Sequence, residues 1–454
     1  MKNNDFLANE PVGKLLFKLA VPTLAAQLIN MLYNMVDKIY IGHMPGDGDL
    51  ALAGLGVCLP LILIVSAFTA LVASGGAPRA SIFMGKGDRG EAERIMGSCA
   101  TVLVLISLTL TAALLLFNRE LLMLFGASEN IIAYAVDYMN IYALGTVFVQ
   151  LTLGLNAFIT AQGFAKISML TVLIGAVLNI ALDPLFIYGF HMGVKGAALA
   201  TIISQSVSCV WVISFLRGKK TLLSIKKEHL RPDWRIVASC LALGVAPFIM
   251  QGSEGVICIC FNSSLQKYGG DIAVSAMTVL SSAMMLVMMP MQGIAQGAQP
   301  ILSYNFGAVR PDRVKKTFFL LLKVCMLFST GMWAIIVFFP ELFVGIFTPD
   351  AALIEYTSRA IRVYASVICL MGIQIACQMT FISMGNAKAS AVVAIVRKFG
   401  LLLPLVYIIP HFMEDKAMGV FLTEPISDFI AVSFTAILFT VQFRKALAKM
   451  EKQI

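Results

Sequence analysis

Gly75-Gly-Ala-Pro78-Arg-Ala-Ser81-Ile-Phe-Met-Gly85 returns later in the chain as Gly297-Ala-Gln-Pro300-Ile-Leu-Ser303-Tyr-Asn-Phe-Gly307. Gly, Pro, Ser and Gly recur at one offset, since 297 − 75 and 307 − 85 both equal 222. The same offset links Tyr142 to Tyr364, and Gly163-Phe-Ala165-Lys166-Ile-Ser168 to Gly385-Asn-Ala387-Lys388-Ala-Ser390. Several matches sharing one offset are the mark of a tandem duplication.

Composition says what was duplicated. Of 454 residues 59% are hydrophobic and only 13% charged, and the mean hydropathy is +0.86. Soluble domains carry about 25% charged residues. Apolar runs long enough to span a bilayer recur along the whole chain. Twelve are expected, at about 15–41, 50–75, 94–117, 131–161, 166–189, 194–217, 237–262, 272–298, 316–340, 357–384, 389–410 and 418–442. A β-barrel would instead show short alternating strands. Each repeat holds six spans, an even number, so both copies have the same orientation. The expected fold is all-α and polytopic, with twelve transmembrane helices in two pseudo-symmetric six-helix lobes. Residues 1–217 form the N-terminal lobe, 218–235 a basic cytoplasmic linker and 236–454 the C-terminal lobe. Parallel repeats of this kind are a transporter architecture, with the substrate path between the lobes.

The net charge of +9 does not point to nucleic acid, because Lys and Arg concentrate in alternate loops. Arg79, Lys86, Arg89 and Arg94 follow span two, Arg217 to Arg235 follow span six, and Arg310, Arg313, Lys315 and Lys316 follow span eight. The opposite loops carry Asp47, Asp49, Glu120, Glu129, Asp350 and Glu414. By the positive-inside rule both termini are cytoplasmic and the protein sits in the cell membrane. The nine Cys lie in or beside apolar segments and read as packing residues; Cys258 and Cys260 make a CxC, and there is no CxxC. The first apolar segment is too long for a signal core and reads as a retained helix.

Three acids stand out well inside apolar spans: Asp37, Asp183 and Glu254. Helical rise puts all three in the outer half of the membrane, roughly 6–12 Å below its surface. Asn30, Tyr33, Asn34 and Asp37 recur at helical spacing in span one. Asn179 lies one turn before Asp183, and Thr201 in span six reaches a similar depth. Asp37, Asn179, Asp183 and Thr201 are therefore expected to form one oxygen-rich cluster inside the first lobe. Such a set suits a proton or a small hard cation such as Na⁺. The alternative is a helix-locking network, with Asp37 paired to Lys38. Glu254, with Gln251 on its face, is expected to meet a cationic substrate or a second ion; Arg397 is the candidate partner if it is structural. Tyr33, Asn34, Gln374 and Gln378 join the expected substrate-binding set, the two Gln being equally readable as helix glue. The Met residues from 284 to 291 read mainly as packing. No Walker A motif follows any Gly-Lys, so energy must come from an ion gradient or a partner. The four His have no metal spacing, and no nucleophile–base pair is legible.

At these residues the chain resembles the multidrug and toxic compound extrusion (MATE) family. The resemblance rests on Pro22 to Gly42, the Pro78…Ser81…Gly85 loop and its repeat, Ala161-Gln-Gly163, Leu178-Asn179-Ile-Ala-Leu-Asp183-Pro184-Leu-Phe-Ile-Tyr188-Gly189 and Gly196-Ala-Ala-Leu-Ala-Thr201. It implies two lobes around a central cavity and export of cationic amphipathic compounds against Na⁺ or H⁺. It implies an ion site at Asp37, Asn179, Asp183 and Thr201, and matches Glu254 to a seventh-helix acid used by some members. Those members also carry an Asp on the tenth helix. None lies near Gly372-Ile373-Gln374, which favours the N-terminal cluster for coupling. No cofactor, nucleic acid or obligate protein partner is expected, only small-molecule substrates and the bilayer. The competing readings are a lipid-linked precursor flippase of the same superfamily, kept open by Arg359, Arg362 and Arg397, and an integral-membrane enzyme or channel.

Overall fold

A computed structural model describes residues 5–44, 48–346 and 350–453; Asp47 lies outside the described residues. Six helices fill the first half: α1 Val12–Gly42, α2 Gly48–Gly85, α3 Arg89–Leu124, α4 Ile132–Ala161, α5 Ala165–Gly189 and α6 Val194–Arg217. The second half opens with Trp234–Gly307, one helical stretch broken at Gly270, where φ is 66° and ψ −160°. Divided there it gives α7 (234–269) and α8 (271–307). Then come α9 Pro311–Phe338, the pair Ala351–Tyr364 and Ile368–Ser383 bent by 46° (α10), α11 Ala387–Phe412 and α12 Lys416–Glu451. With the long stretch divided at Gly270 and the bent pair taken as one span, the described residues hold twelve candidate membrane spans, as expected, and most run past the limits set by hydropathy. Their ends are polar turns that side chains cap: Asp88, Asp233, Asp350, Asn386 and Asp415 each accept backbone N–H bonds at a helix start.

The repeat explains the turns. Gly163 and Gly385, one offset apart, end α4 and the second part of α10 with φ of 87° and 73°. A left-handed residue there turns the chain sharply into the next helix, and glycine adopts it without strain.

The quoted stretch proves to be the seam between the halves. A Cβ on Gly85 would collide with the Tyr304 carbonyl, and one on Gly307 with the Ile82 carbonyl. These contacts exchange under the offset, since 304 − 82 and 307 − 85 are both 222. Gly75 lies against the Cys240 carbonyl and Gly244 against the Leu71 carbonyl; Gly297 lies against Ala20 and Gly293 against Leu24. Helices α2 and α8 therefore cross backbone to backbone at the end that carries the N-terminus, with α7 and α1 in matching places. Thr23 Oγ1 donates to Gly293 O at 2.6 Å and Gln27 Nε2 to Gln296 Oε1 at 3.1 Å across this seam.

Packing crosses the seam as well. Leu15, Leu19 and Ala20 of α1 share a core with Ala295, Ala298, Phe318, Phe381 and Phe439. In return Val237 and Cys240 of α7 enter the core formed by Met96, Phe158 and Leu216. Toward the other end the halves meet through side chains and not backbone. Gly252 and Gly255 face Ala67 and Pro60 with room for a Cβ at 3.8 and 3.6 Å, and Glu254 between them has a side chain 54% exposed.

The basic linker is docked on the first half. Buried Gln162 accepts from Thr221 Oγ1, Leu222 N and Leu223 N at 2.8–2.9 Å. Buried Glu93 accepts from Ser224 N and pairs with Lys226 at 2.6 Å. The N-terminal segment is tied to the second half, because Arg313 donates to the carbonyls of Leu7 and Glu10 and Arg310 to that of Ala8.

Candidate functional site

Two polar clusters lie inside the bundle, one per half, and they use matching helices. The first is built from α1, α5 and α6. Asp37, Asn179 and Asp183 are all buried. Asn179 Nδ2 donates to Asp183 Oδ1 at 3.3 Å and to Thr201 Oγ1 at 3.4 Å, while Thr201 Oγ1 donates to Ala197 O at 3.0 Å. The Asp37 and Asp183 carboxyl groups lie close enough to interact directly. Two carboxyl groups attract at that range only with a proton or a cation between them. Asp37 Oδ1, Asp183 Oδ2 and Asn179 Oδ1 are buried and accept from no protein donor. The donor set is all oxygen, which fits a small hard cation or a proton. Lys38 is exposed, so the adjacent-lysine pairing does not account for Asp37.

Local chemistry sets this geometry. Pro184 follows Asp183, lacks an N–H and crowds the preceding turn. The helix widens there into the π turn Leu185–Gly189, a distortion frequent at functional sites. A narrow cleft opens from Asn179 and Thr201 between the helices, lined by Asn30, Tyr33, Asn156, Ser204 and Gln205. Buried atoms of Asn156, Ser204 and Gln205 also lack protein partners. Tyr33 thus sits with the acidic pair, whereas Asn34 is exposed and donates to Asn30 O at 2.7 Å.

The second cluster is built from α7, α11 and α12, the repeat counterparts of α1, α5 and α6. Lys398 Nζ donates to Glu254 Oε1 at 2.6 Å. This corrects the expected partner: Arg397 instead donates through Nε to Asp428 Oδ1 at 2.9 Å, with Glu424 at 3.9 Å. The reason is the π turn Val396–Leu402. Successive residues are about 100° apart on an α-helix and closer to 80° in a wider π turn, so neighbouring Arg and Lys can both face the interior. Glu424 and Asp428 also correct the count of intramembrane acids from three to five. Their signal in the sequence is two acids one turn apart, flanking Pro425, inside an apolar span. With Arg397 held by two carboxylates, the phosphate-binding role that kept a flippase open loses one of its three arginines.

The remaining expected residues divide. Gln251 is exposed on α7 beside Glu254. Gln378 is buried and donates to Ser390 Oγ at 2.8 Å, joining α10 to α11. Gln374 is buried, and its Oε1 accepts nothing.

Comparison with known proteins agrees with this architecture. The MatE family profile matches residues 22–185 and again 247–408, one match in each half. The chain is 24% identical over 391 residues to the multidrug export protein MepA of Staphylococcus haemolyticus, covering 86% of this chain and 85% of that one. It is 32% identical to the MATE multidrug transporter DinF-BH, solved in complex with a ligand, with a TM-score of 0.89 over 97% of this chain and 98% of that one. An outward-facing MATE family transporter of the MOP superfamily superposes with a TM-score of 0.90 at 22% identity, covering 98% and 99% of the two chains. The chain belongs to the MatE family and is a multi-pass membrane transporter, not an enzyme.

Proposed function

We propose that this transporter exports cationic amphipathic compounds in exchange for Na⁺ or H⁺ bound at Asp37, Asn179, Asp183 and Thr201. The observation that carries it is the contact of two buried carboxyl groups, one from α1 and one from α5, ringed by oxygens without protein donors. Binding a cation or proton there removes the repulsion between the two helices. Releasing it restores the repulsion and raises the cost of that packing. Helix α1 also packs across the seam, so its position at Asp37 biases how the lobes meet. An ion can thereby favour one of two lobe arrangements, which is what alternating access requires. Both termini lie in the cytoplasm of the cell in this reading. The seam then closes the inner face, and Glu254 lies toward the outer one.

The names of MepA and DinF-BH support a multidrug substrate range. Glu254, with Gln251 beside it, supplies negative charge. The test is dye efflux from proteoliposomes with imposed Na⁺ and H⁺ gradients. Asp37→Asn and Asp183→Asn should each abolish gradient-driven efflux. Wild-type rates in both variants under every gradient would refute the ion site.

A further inference from the structure

The two clusters differ in one respect that their shared helices make plain. The N-terminal cluster has acids and no base among its members. The C-terminal cluster has three acids, Glu254, Glu424 and Asp428, and two bases of its own, Arg397 and Lys398. The bases are not equivalent. Arg397 is 11% exposed and sits against Asp428 and Glu424, themselves 10% and 15% exposed. Lys398 is 5% exposed, yet its carboxylate partner is 54% exposed. A buried ammonium therefore neutralises the acid that a cationic substrate would meet.

We propose that Lys398 is a tethered counter-cation that holds Glu254 until a transported cation displaces it. The inference rests on the cationic-substrate reading above. The charge count makes the exchange feasible. Three carboxylates against two bases leave one negative charge in excess. Glu424 lies within electrostatic reach of both Lys398 and Glu254, and its pairing to Arg397 is loose at 3.9 Å. When an organic cation takes Glu254, the flexible lysine stem can carry its ammonium to Glu424, and the network becomes neutral. Arg397 could not serve in the same way, because its planar fork is already committed to Asp428, whereas a lysine is a mobile point charge. The π turn places both bases on this side, so the two roles fall to adjacent residues. The lysine sets a threshold: a weakly interacting compound does not displace it, and in the unfilled site the buried ammonium itself stays paired.

The test is equilibrium binding of radiolabelled tetraphenylphosphonium to the detergent-purified full chain. Lys398→Met should bind about fivefold more tightly than wild type, the size of one half-exposed ion pair. Glu254→Gln should bind more weakly, and the double variant should match Glu254→Gln, because without the acid there is nothing to unmask. Lys398→Gln keeps a hydrogen bond to Glu254 without the charge, and should show the same direction if Lys398→Met fails to fold. Unchanged or weaker binding in both lysine variants, with Glu254→Gln still weakened, overturns the tether and leaves the substrate reading standing. No binding by wild type, or no loss in Glu254→Gln, overturns both.

Discussion

Placing a methyl group at Gly85 tests the seam directly. The Cβ of Gly85→Ala would lie well inside van der Waals contact with the Tyr304 carbonyl. The obstacle is backbone in the middle of a crossing helix, not a side chain that can rotate away. Overpacking of this kind costs about 1–3 kcal/mol. At about 2 kcal/mol the balance moves roughly 30-fold away from the closed seam. The same change at Gly307 meets the Ile82 carbonyl, the exchanged contact, and should have a matching effect. Gly56→Ala on the same helix meets nothing within 4 Å and is the control; helix propensity predicts a gain of up to about 1 kcal/mol there. The assay is amide hydrogen exchange of the purified protein. Exchange should rise together in peptides around 82–87 and 304–309 in both seam variants, and stay unchanged in the control. Unaltered exchange at both segments, with wild-type efflux, would refute the claim that these glycines set the distance between the lobes.

Na⁺ at 100 times its dissociation constant should stabilise wild type by about 2.7 kcal/mol if Na⁺ is the coupling ion; a thermal-shift series should show this rise, and Asp183→Asn should abolish it. Arg397→Met should destabilise the fold by about 3–5 kcal/mol, because it strands Asp428 and Glu424 in the interior. Asp428→Asn in that background should recover part of the loss in thermal unfolding. Gln162→Leu should cost about 2 kcal/mol by leaving the backbone N–H groups of Leu222 and Leu223 unpaired, read as faster exchange of residues 221–224 with α4 unaffected.

Much of the fold was legible because membrane solvation leaves few options. Every span must be a helix, and the helix count follows from hydropathy. Legibility weakened at the ends, where α2 continues to Gly85 and α8 to Gly307. Those turns are rich in Gly, Pro and Ser and read as loops, yet helix–helix contact holds them helical. Matching depth along the spans brought Asn179, Asp183 and Thr201 to one level, and the structure adds the hydrogen bonds between them. Depth alone could not assign Glu254 to Lys398. Adjacent residues point apart on an ordinary helix, and the π turn that redirects them has no plain signature in the sequence.

The sequence by itself determined the duplication, the helices and the acids that are expensive to bury, since each follows from local composition or from a repeated spacing. Only the tertiary structure decided what the repeated glycines touch and which charge answers which. A glycine says that something comes close, and a buried acid says that something must compensate it. The identity of the neighbour depends on how helices far apart in the chain cross. Here the Gly75–Gly85 stretch and its copy meet across a pseudo-twofold seam, Ser81 Oγ reaching Pro300 O at 3.5 Å. The mark of duplication in the sequence is also the contact that joins the duplicated halves.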